Sequence, residues 1–181
     1  MRVAIVGNSG SGKTTLAQEV AEKTGATHIE IDAYFHLPGW EEKDGDLMRA
    51  ELTAATEATE HWVADGNYRN RGGAIIRERA DTIVFFDLPR TIVMKRVVGR
   101  TVRRAITRQE LWNGNREPLT NFYRWDPERN IIRWSWVNHD TYSRQYRSAM
   151  TDGTWDHAEV VHVQRPDDAQ EWLDGLELLV P

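Results

Sequence analysis

The sequence predicts a three-layer α/β/α domain built on a five-stranded parallel sheet. Three observations carry that reading. Five short apolar runs alternate with helical patterns, the signature of parallel strands covered on both faces. A glycine-rich turn joins the first run to the first helix. Asp32, Asp65 and Asp87 sit where the second, third and fourth runs end. In open parallel sheets the ligand lies outside the carboxyl ends of the strands, so these groups should converge on one crevice.

Val3 to Val6 is a continuous apolar run and reads as a buried parallel strand. Gly7 to Gly12 is the glycine-rich loop. Lys13 to Lys23 follows as a helix, with Leu16, Ala17, Val20 and Ala21 at helical spacing and Gly25 as its stop. His28 to Ile31 is the second strand, and residues 47–60 are helical by composition. Trp62 to Ala64 is the third strand and Thr82 to Phe86 the fourth. Thr91 to about Arg108 is a helix with Ile92, Val93, Val97 and Val98 in its apolar stripe. Residues 109–126 read as irregular, and Pro127 suits the first turn of a long helix to about Met150. Glu159 to Val163 is the fifth strand, and Pro166 to about Leu176 the last helix.

A chain of 181 residues is one domain by length. The core is expected over about 1–100 and 150–181, with an Arg-rich helical lid and its supporting helix over about 101–150. There is no cysteine, which excludes disulfides, thiolate metal sites and thiol catalysis. No apolar run approaches the roughly 20 residues of a membrane helix. The first residues have no signal-peptide layout, so a cytoplasmic location without membrane attachment is expected.

The net charge of −5 is an average over two unlike parts. Residues 91–150 hold 12 basic residues against five acidic ones, and the remainder holds 11 basic against 23 acidic. The cationic part is therefore where an anion would be clamped. Nineteen of the 23 basic residues are arginine, the side chain suited to bidentate phosphate contacts.

Gly7-Asn8-Ser9-Gly10-Ser11-Gly12-Lys13-Thr14 matches G-x-x-x-x-G-K-[ST] in full, between a strand and a helix as the motif requires. Backbone N–H groups of such a loop curl round a phosphate, and the helix N-terminus adds positive potential. Asn8, Ser9, Gly10, Ser11, Gly12, Lys13, Thr14 and Thr15 are thus the expected nucleotide-binding residues. Lys13 would reach the β- and γ-phosphates, and Thr14 would offer its hydroxyl to Mg²⁺. ATPase machines usually follow a strand-end aspartate with a catalytic glutamate. Here Asp87 precedes Leu88 and Asp65 precedes Gly66, and no N-K-x-D segment reads guanine. These features favour a small-molecule kinase, in which positioning and charge neutralisation do most of the catalysis.

Further segments resemble known kinases. Asp65-Gly66-Asn67-Tyr68-Arg69 resembles the D-G-F-P-R segment of adenylate kinases. Phe86-Asp87-Leu88-Pro89 with Arg96-Val97-Val98-Gly99-Arg100 resembles their F-D-x-P and R-I-V-G-R runs. Ile31-Asp32-Ala33-Tyr34-Phe35, Pro38-Gly39-Trp40 and the Trp62–Tyr68 segment resemble a closer group. These are the adenylate-kinase-like P-loop proteins often labelled topology modulation proteins. The likeness runs from about residue 2 to 150. It implies a P-loop NTPase of the nucleoside/nucleotide kinase type, using ATP with Mg²⁺ and acting on a small-molecule acceptor, and a monomer.

It also implies residue roles. Arg96 would lie against the base, and Arg100 would reach the transferring phosphates from the hinge of the lid. Arg69 would contact phosphate, and Asp65 would hold waters around Mg²⁺, with Asp87 a further metal candidate. A lid arginine, first of all Arg144, would clamp the phosphates. Gln164 and Arg165 follow the fifth strand, where the related kinases frame adenine. The AMP-binding region of adenylate kinases has no match. In its place stand Asp32, Tyr34, Phe35, His36 and Trp40. Asp32, Tyr34, Phe35, Trp40, Asp65, Gly66, Asn67 and Arg69 are the expected acceptor-side residues. A carboxylate such as Asp32 suits the proton of a hydroxyl acceptor; a phosphate acceptor needs no such base. Trp112, Trp125, Trp134 and Trp136 are expected to pack the lid against the long helix. Arginines interleaved with aromatics are also a nucleic-acid pattern, and a nucleotide-dependent regulator of DNA topology is the alternative. The absence of a helix-turn-helix, zinc finger or basic tail argues against a nucleic-acid partner.

Overall fold

The computed structural model describes residues 1–68 and 72–177, apart from the side chain of Glu128. Five parallel strands form one sheet: β1 Arg2–Gly7, β2 Thr27–Glu30, β3 Trp62–Asp65, β4 Thr82–Phe86 and β5 Glu159–Val163. Their order is β2-β3-β1-β4-β5, so the central β1 delivers its loop to the middle of the carboxyl edge. Among the described residues seven α-helices accompany them: α1 Lys13–Thr24, α2 Ile31–Phe35, α3 Gly45–Glu57, α4 Ala74–Arg79, α5 Arg90–Thr107, α6 Ile131–Ala149 and α7 Pro166–Asp174.

Strand side chains alternate between the two faces. Ala4, Val6, Ile29, Trp62, Ala64, Ile83 and Phe85 enter a core shared with Met48 and Leu52 of α3, Ile76 of α4 and Tyr146 of α6. Val3, Ile5, Val63, Val84, Phe86 and Val163 face the other way. They meet Leu16, Ala17 and Val20 of α1, Val93 of α5 and Leu173 of α7. β1, β3 and β4 therefore contribute to both cores, which is why Val3–Val6 and Ile83–Phe86 are continuous apolar runs.

Local chemistry sets the helix ends. Gly25 adopts φ 79° and donates its N–H to the Ala21 carbonyl, closing α1 in the left-handed conformation that glycine tolerates. The Asp44 carboxylate caps α3 by accepting from the N–H groups of Asp46 and Leu47.

Three boundaries differ from expectation. The chain leaves β2 at Glu30 and turns Ile31 to Phe35 into a helix, so Asp32 stands in a helical first turn rather than at the tip of a strand. α6 starts at Ile131, because Asn130 accepts from the N–H groups of Ile132 and Arg133. Pro127 to Arg129 forms a separate 3-10 turn. Finally, Tyr146 and Ala149 are buried in the sheet's core, so the far half of α6 is part of the core layer. Residues 109–130 are loop with short 3-10 turns, without a long helix.

The tryptophans also depart from the expected packing. Trp125 is 78% exposed and Trp136 53% exposed. The Arg133 guanidinium lies 4.2 Å from the centroid of Trp125, and that of Arg90 4.7 Å from Trp136. Arginine covers these rings from one side and leaves the other to water. Trp134 packs on Tyr142, and Trp112 turns toward the α2 segment. Among the described residues no helix is long and apolar enough to cross a membrane.

Candidate functional site

The phosphate loop connects β1 to α1 and is held from three sides. Asn67, at the end of β3, receives the N–H of Gly7 at 3.1 Å and donates its amide to the Gly7 carbonyl at 2.8 Å. Its Oδ1 also accepts from the Tyr146 hydroxyl at 3.1 Å. From α6, the Ser135 hydroxyl donates to the Ser9 carbonyl at 3.1 Å, while Asn8 donates to the Ser135 carbonyl at 2.7 Å. From α5, Arg96 donates to the Ser11 carbonyl at 2.7 Å and Arg100 to the Ser9 hydroxyl at 2.9 Å. These two arginines, one helical turn apart, thus grip the same loop.

Gly10 is required by space as well as conformation, and Gly12 by its conformation. At Gly10, with φ 83°, a Cβ would lie 2.9 Å from the Val93 carbonyl oxygen. At Gly12, with φ 112°, it would lie 3.3 Å from the Arg96 guanidinium. The Ser11 hydroxyl is buried without a hydrogen-bond partner among the described residues. A buried, unsatisfied donor of this kind is costly unless a ligand takes it up.

Lys13 donates to the Asn8 carbonyl at 2.9 Å. Burial pushes its pKa down, and the nearby carboxylates of Asp65 and Asp32 only partly offset that. Burial likewise lowers the pKa values of Arg100 and Arg104. The desolvated cations on this edge therefore gain most when an anion arrives. Thr15 is exposed on the first turn of α1.

Thr14 donates its hydroxyl to Asp65 Oδ2 at 2.6 Å, and His28 Nε2 meets Asp65 Oδ1 at 2.8 Å. A hydroxyl and a buried carboxylate, side by side at the start of α1, form an all-oxygen donor set of the kind Mg²⁺ takes. These residues fit the ion. Gly66 follows with φ 143°, and a Cβ there would lie 2.8 Å from that of Ile31. Asp65 is thereby kept next to α2.

On the α2 side, Tyr68 donates its hydroxyl to Asp32 Oδ1 at 2.6 Å. Burial is the main influence on Lys13, Arg100 and Arg104, and the Asp32 carboxylate offsets it in part from a distance. Glu30 and Glu117 are both pushed up in pKa by burial. The Glu117 carboxylate lies 3.8 Å from Arg104 and accepts from Asn121 at 2.6 Å.

Residues 112–116 are tied over this side. Asn113 donates to the Ala33 carbonyl at 3.2 Å and Asn115 to the Leu37 carbonyl at 2.9 Å. The Trp40 indole donates to the Arg116 carbonyl at 3.0 Å, and the His36 ring stacks on Trp112 with centroids 5.6 Å apart. Trp40 (φ 62°) and Asn113 (φ 54°) both adopt the left-handed region, unfavourable for side-chain-bearing residues.

Several sequence candidates stand elsewhere. Phe35 is buried in the core against Tyr68, because its place on α2 faces the sheet. Tyr34 is half-buried against the same cluster. Asn67 spends its amide on Gly7 and Tyr146, which makes it an anchor of the loop. Asp87 accepts from Ser143 at 2.6 Å, Arg147 at 2.6 Å and His162 at 2.9 Å, so its carboxylate is taken up by α6 and β5. Burial alone would raise its pKa, but these three hydrogen bonds hold it below the usual range. Arg165 ion-pairs with Asp168 in its own helix, at 2.9 Å. Arg144 and Gln164 line a cavity beyond β4 and β5 that no phosphate-loop residue lines. Arg69 lies outside the described residues.

Sequence reasoning missed His28, Tyr68, Arg104 and Ser135. His28 is a lone histidine in a strand, and only the pairing of β2 with β3 brings it to Asp65. Ser135 carries no motif at all.

A model of the ATPase family associated with various cellular activities (AAA) matches residues 3–96, more than half of the chain. No curated protein matches the sequence. Deoxyadenosine kinase from M. mycoides with bound dATP superposes with a TM-score of 0.55 at 14% identity, covering 96% of this chain and 97% of that one. Shikimate kinase from Acinetobacter baumannii in complex with shikimate gives 0.53 at 18%, covering 97% and 95%. Shikimate kinase from Bacteroides thetaiotaomicron gives 0.52 at 16%, covering 96% and 94%. At these identities the likeness is one of fold: a small α/β P-loop kinase fold over nearly the full length. The loop, Thr14, Asp65 and Asp87 all lie in the matched span, and the chain belongs to the ATPase family associated with various cellular activities.

Proposed function

We propose that this protein is an ATP- and Mg²⁺-dependent phosphotransferase of the nucleoside/nucleotide kinase type, and that its acceptor presents a hydroxyl group. One observation carries the reading: Asp32, in the first turn of α2 just beyond β2, has its carboxylate held by the Tyr68 hydroxyl at 2.6 Å, within electrostatic reach of Lys13 and Arg100. A carboxylate near the cations that would hold a γ-phosphoryl group could accept a hydroxyl proton as the phosphoryl group leaves ATP.

The triphosphate would lie in the loop, with the freed Ser11 hydroxyl and the backbone N–H groups as donors. Thr14 would ligate Mg²⁺ and Asp65 would hold its waters, with His28 fixing the orientation of that carboxylate. When bound, the ion neutralises phosphate charge. Lys13 and Arg100 supply positive charge where negative charge builds during transfer. Arg96 would pack on the base, and Arg69 would contact phosphate. Residues 101–130 would act as the lid, with Asn113, Asn115 and Trp112 closing over α2 to exclude water. The likeness to the topology modulation group supports the same reading and is part of the proposal.

The family match favours a second reading, an ATPase with no small acceptor. Against it, neither Asp65 nor Asp87 is followed by a glutamate that could orient water. The test is ADP release with ATP and Mg²⁺ over a panel of nucleosides, nucleotides, sugar alcohols and hydroxy acids. The proposal expects one class of hydroxyl compound to raise the rate and phosphate acceptors to leave it unchanged. A rate indifferent to every acceptor supports the ATPase reading instead.

A further inference from the structure

One peptide of the phosphate loop is set by a residue far along the chain. Ser135, in α6, is fully buried. Its hydroxyl donates to the Ser9 carbonyl at 3.1 Å and is the one donor on that oxygen among the described residues. The same hydroxyl lies 3.1 Å from the Asn8 amide nitrogen, which also donates to the Ser135 carbonyl at 2.7 Å. The other end of the Asn8 side chain accepts the Ser9 N–H at 2.9 Å. Both polar groups of the Ser9 backbone are therefore spent.

In a trans peptide the carbonyl and the following N–H point in opposite directions. With the Ser9 carbonyl drawn toward Ser135, the Gly10 N–H is turned away from it. That N–H has no partner among the described residues. The Ser11 carbonyl is held in the same manner by Arg96 at 2.7 Å, and the Gly12 N–H that follows it is also unpaired among them. The Ser11 N–H, by contrast, is taken by the Asn8 carbonyl at 3.2 Å. Each of these two open donors thus follows a carbonyl that a side chain of α5 or α6 pins. Pinning matters at Gly10 because turning over the Ser9–Gly10 peptide changes ψ of Ser9 and φ of Gly10. Glycine accepts either sign of φ, so its own backbone offers little resistance.

We propose, on the reading that the loop holds the triphosphate, that Ser135 is a positioning residue: its hydroxyl fixes the Ser9–Gly10 peptide so that the Gly10 N–H is presented to a phosphate. Ser135 acts through the loop backbone. A donor fixed in advance needs no rearrangement when negative charge builds on the phosphate oxygens. Tyr146, on the same helix, braces Gly7 through Asn67, so α6 keeps a second hold on the loop without the Ser135 hydroxyl.

ADP with Mg²⁺, titrated calorimetrically into the native chain, Ser135→Ala and Ser135→Thr, tests the proposal, together with the backbone amide resonance of Gly10. ADP should bind Ser135→Ala about tenfold more weakly than the native chain, and Ser135→Thr, which keeps the hydroxyl, should regain most of the loss. The Gly10 resonance should move on ADP addition in the native chain and in Ser135→Thr, and much less in Ser135→Ala. Where alanine lowers the unfolding midpoint, Ser135→Cys, close in size with a weak donor, takes its place. Equal ADP affinity with and without the hydroxyl, or the same Gly10 response in both, overturns the proposal and leaves the phosphotransfer reading standing. A loss that Ser135→Thr shares in full also overturns it, because side-chain size rather than the hydroxyl would then be at work. A native chain that binds no ADP overturns the nucleotide reading itself, and this role with it.

Discussion

Replacing Asn67 by alanine isolates the part of the site that is scaffold. Three hydrogen bonds vanish: two to the backbone of Gly7, at 3.1 and 2.8 Å, and one from the Tyr146 hydroxyl at 3.1 Å. Asn67 is 8% exposed and Tyr146 1%, so water cannot easily replace the lost partners. A buried polar group left without a partner costs about 1–3 kcal/mol. With three such groups and partial relaxation, the loss should be about 3–5 kcal/mol. For a chain of this length that lowers the unfolding midpoint by roughly 10 °C. Urea unfolding followed by tryptophan fluorescence measures it. Adding Tyr146→Phe should cost less in Asn67→Ala than in the native chain, because the shared hydrogen bond is already gone. A loss below about 1 kcal/mol, or strictly additive effects, would refute the anchor role. A normal fold with a raised KM for the acceptor alone would place Asn67 on the substrate instead.

Lys13→Met should abolish most turnover, by at least about 10²–10³-fold, without lowering stability, because burial already disfavours the charged lysine in the free protein; thermal unfolding and ADP release read the two effects. Gly10→Ala forces a Cβ to 2.9 Å from the Val93 carbonyl at φ 83°, and should weaken nucleotide binding by displacing α5 with Arg96 and Arg100; calorimetric titration with ATP checks it. Burial raises the Glu117 pKa, so its contribution to stability is full below the ordinary carboxylate range and lost as pH rises through the folded value. Glu117→Gln should therefore be more stable than the native chain in urea at pH 8, with the difference gone at pH 4. Asp87 is the opposite case. Its depressed pKa gives stability above the ordinary carboxylate range that is lost on acidification, so the cost of Asp87→Asn at pH 7 should shrink as pH falls below about 4.

The strands and the phosphate loop were legible because their signals are local. An apolar run such as Thr82 to Phe86 admits few alternatives, and the spacing from Gly7 to Thr14 states its own geometry. Residues whose roles depend on distant partners were not legible. His28 acquires meaning only when β2 lies beside β3, and Ser135 only when α6 crosses the loop. Asn67 and Phe35 sit among acceptor-side residues in the sequence, yet the turn after Glu30 and the approach of Tyr146 draw both inward. Arginine count did announce a cationic segment over 91–150, but its arginines divide among different tasks. Arg96 and Arg100 hold the loop, Arg104 faces Glu117, Arg133 covers Trp125, and Arg144 lines the cavity beyond β4 and β5. The exposed Trp125 and Trp136 show why aromatic content alone does not locate a core: arginine and water can cover a ring as well as another apolar surface.

Phosphoryl transfer to a hydroxyl with Asp32 as the base is read out by acceptor-stimulated ADP release in the native chain and in Asp32→Asn. A hydroxyl compound should stimulate release in the native chain. In Asp32→Asn that stimulation should fall by about 10²-fold or more, with ATP affinity little changed. Equal stimulation in both proteins, or ADP release that no acceptor alters, would contradict it.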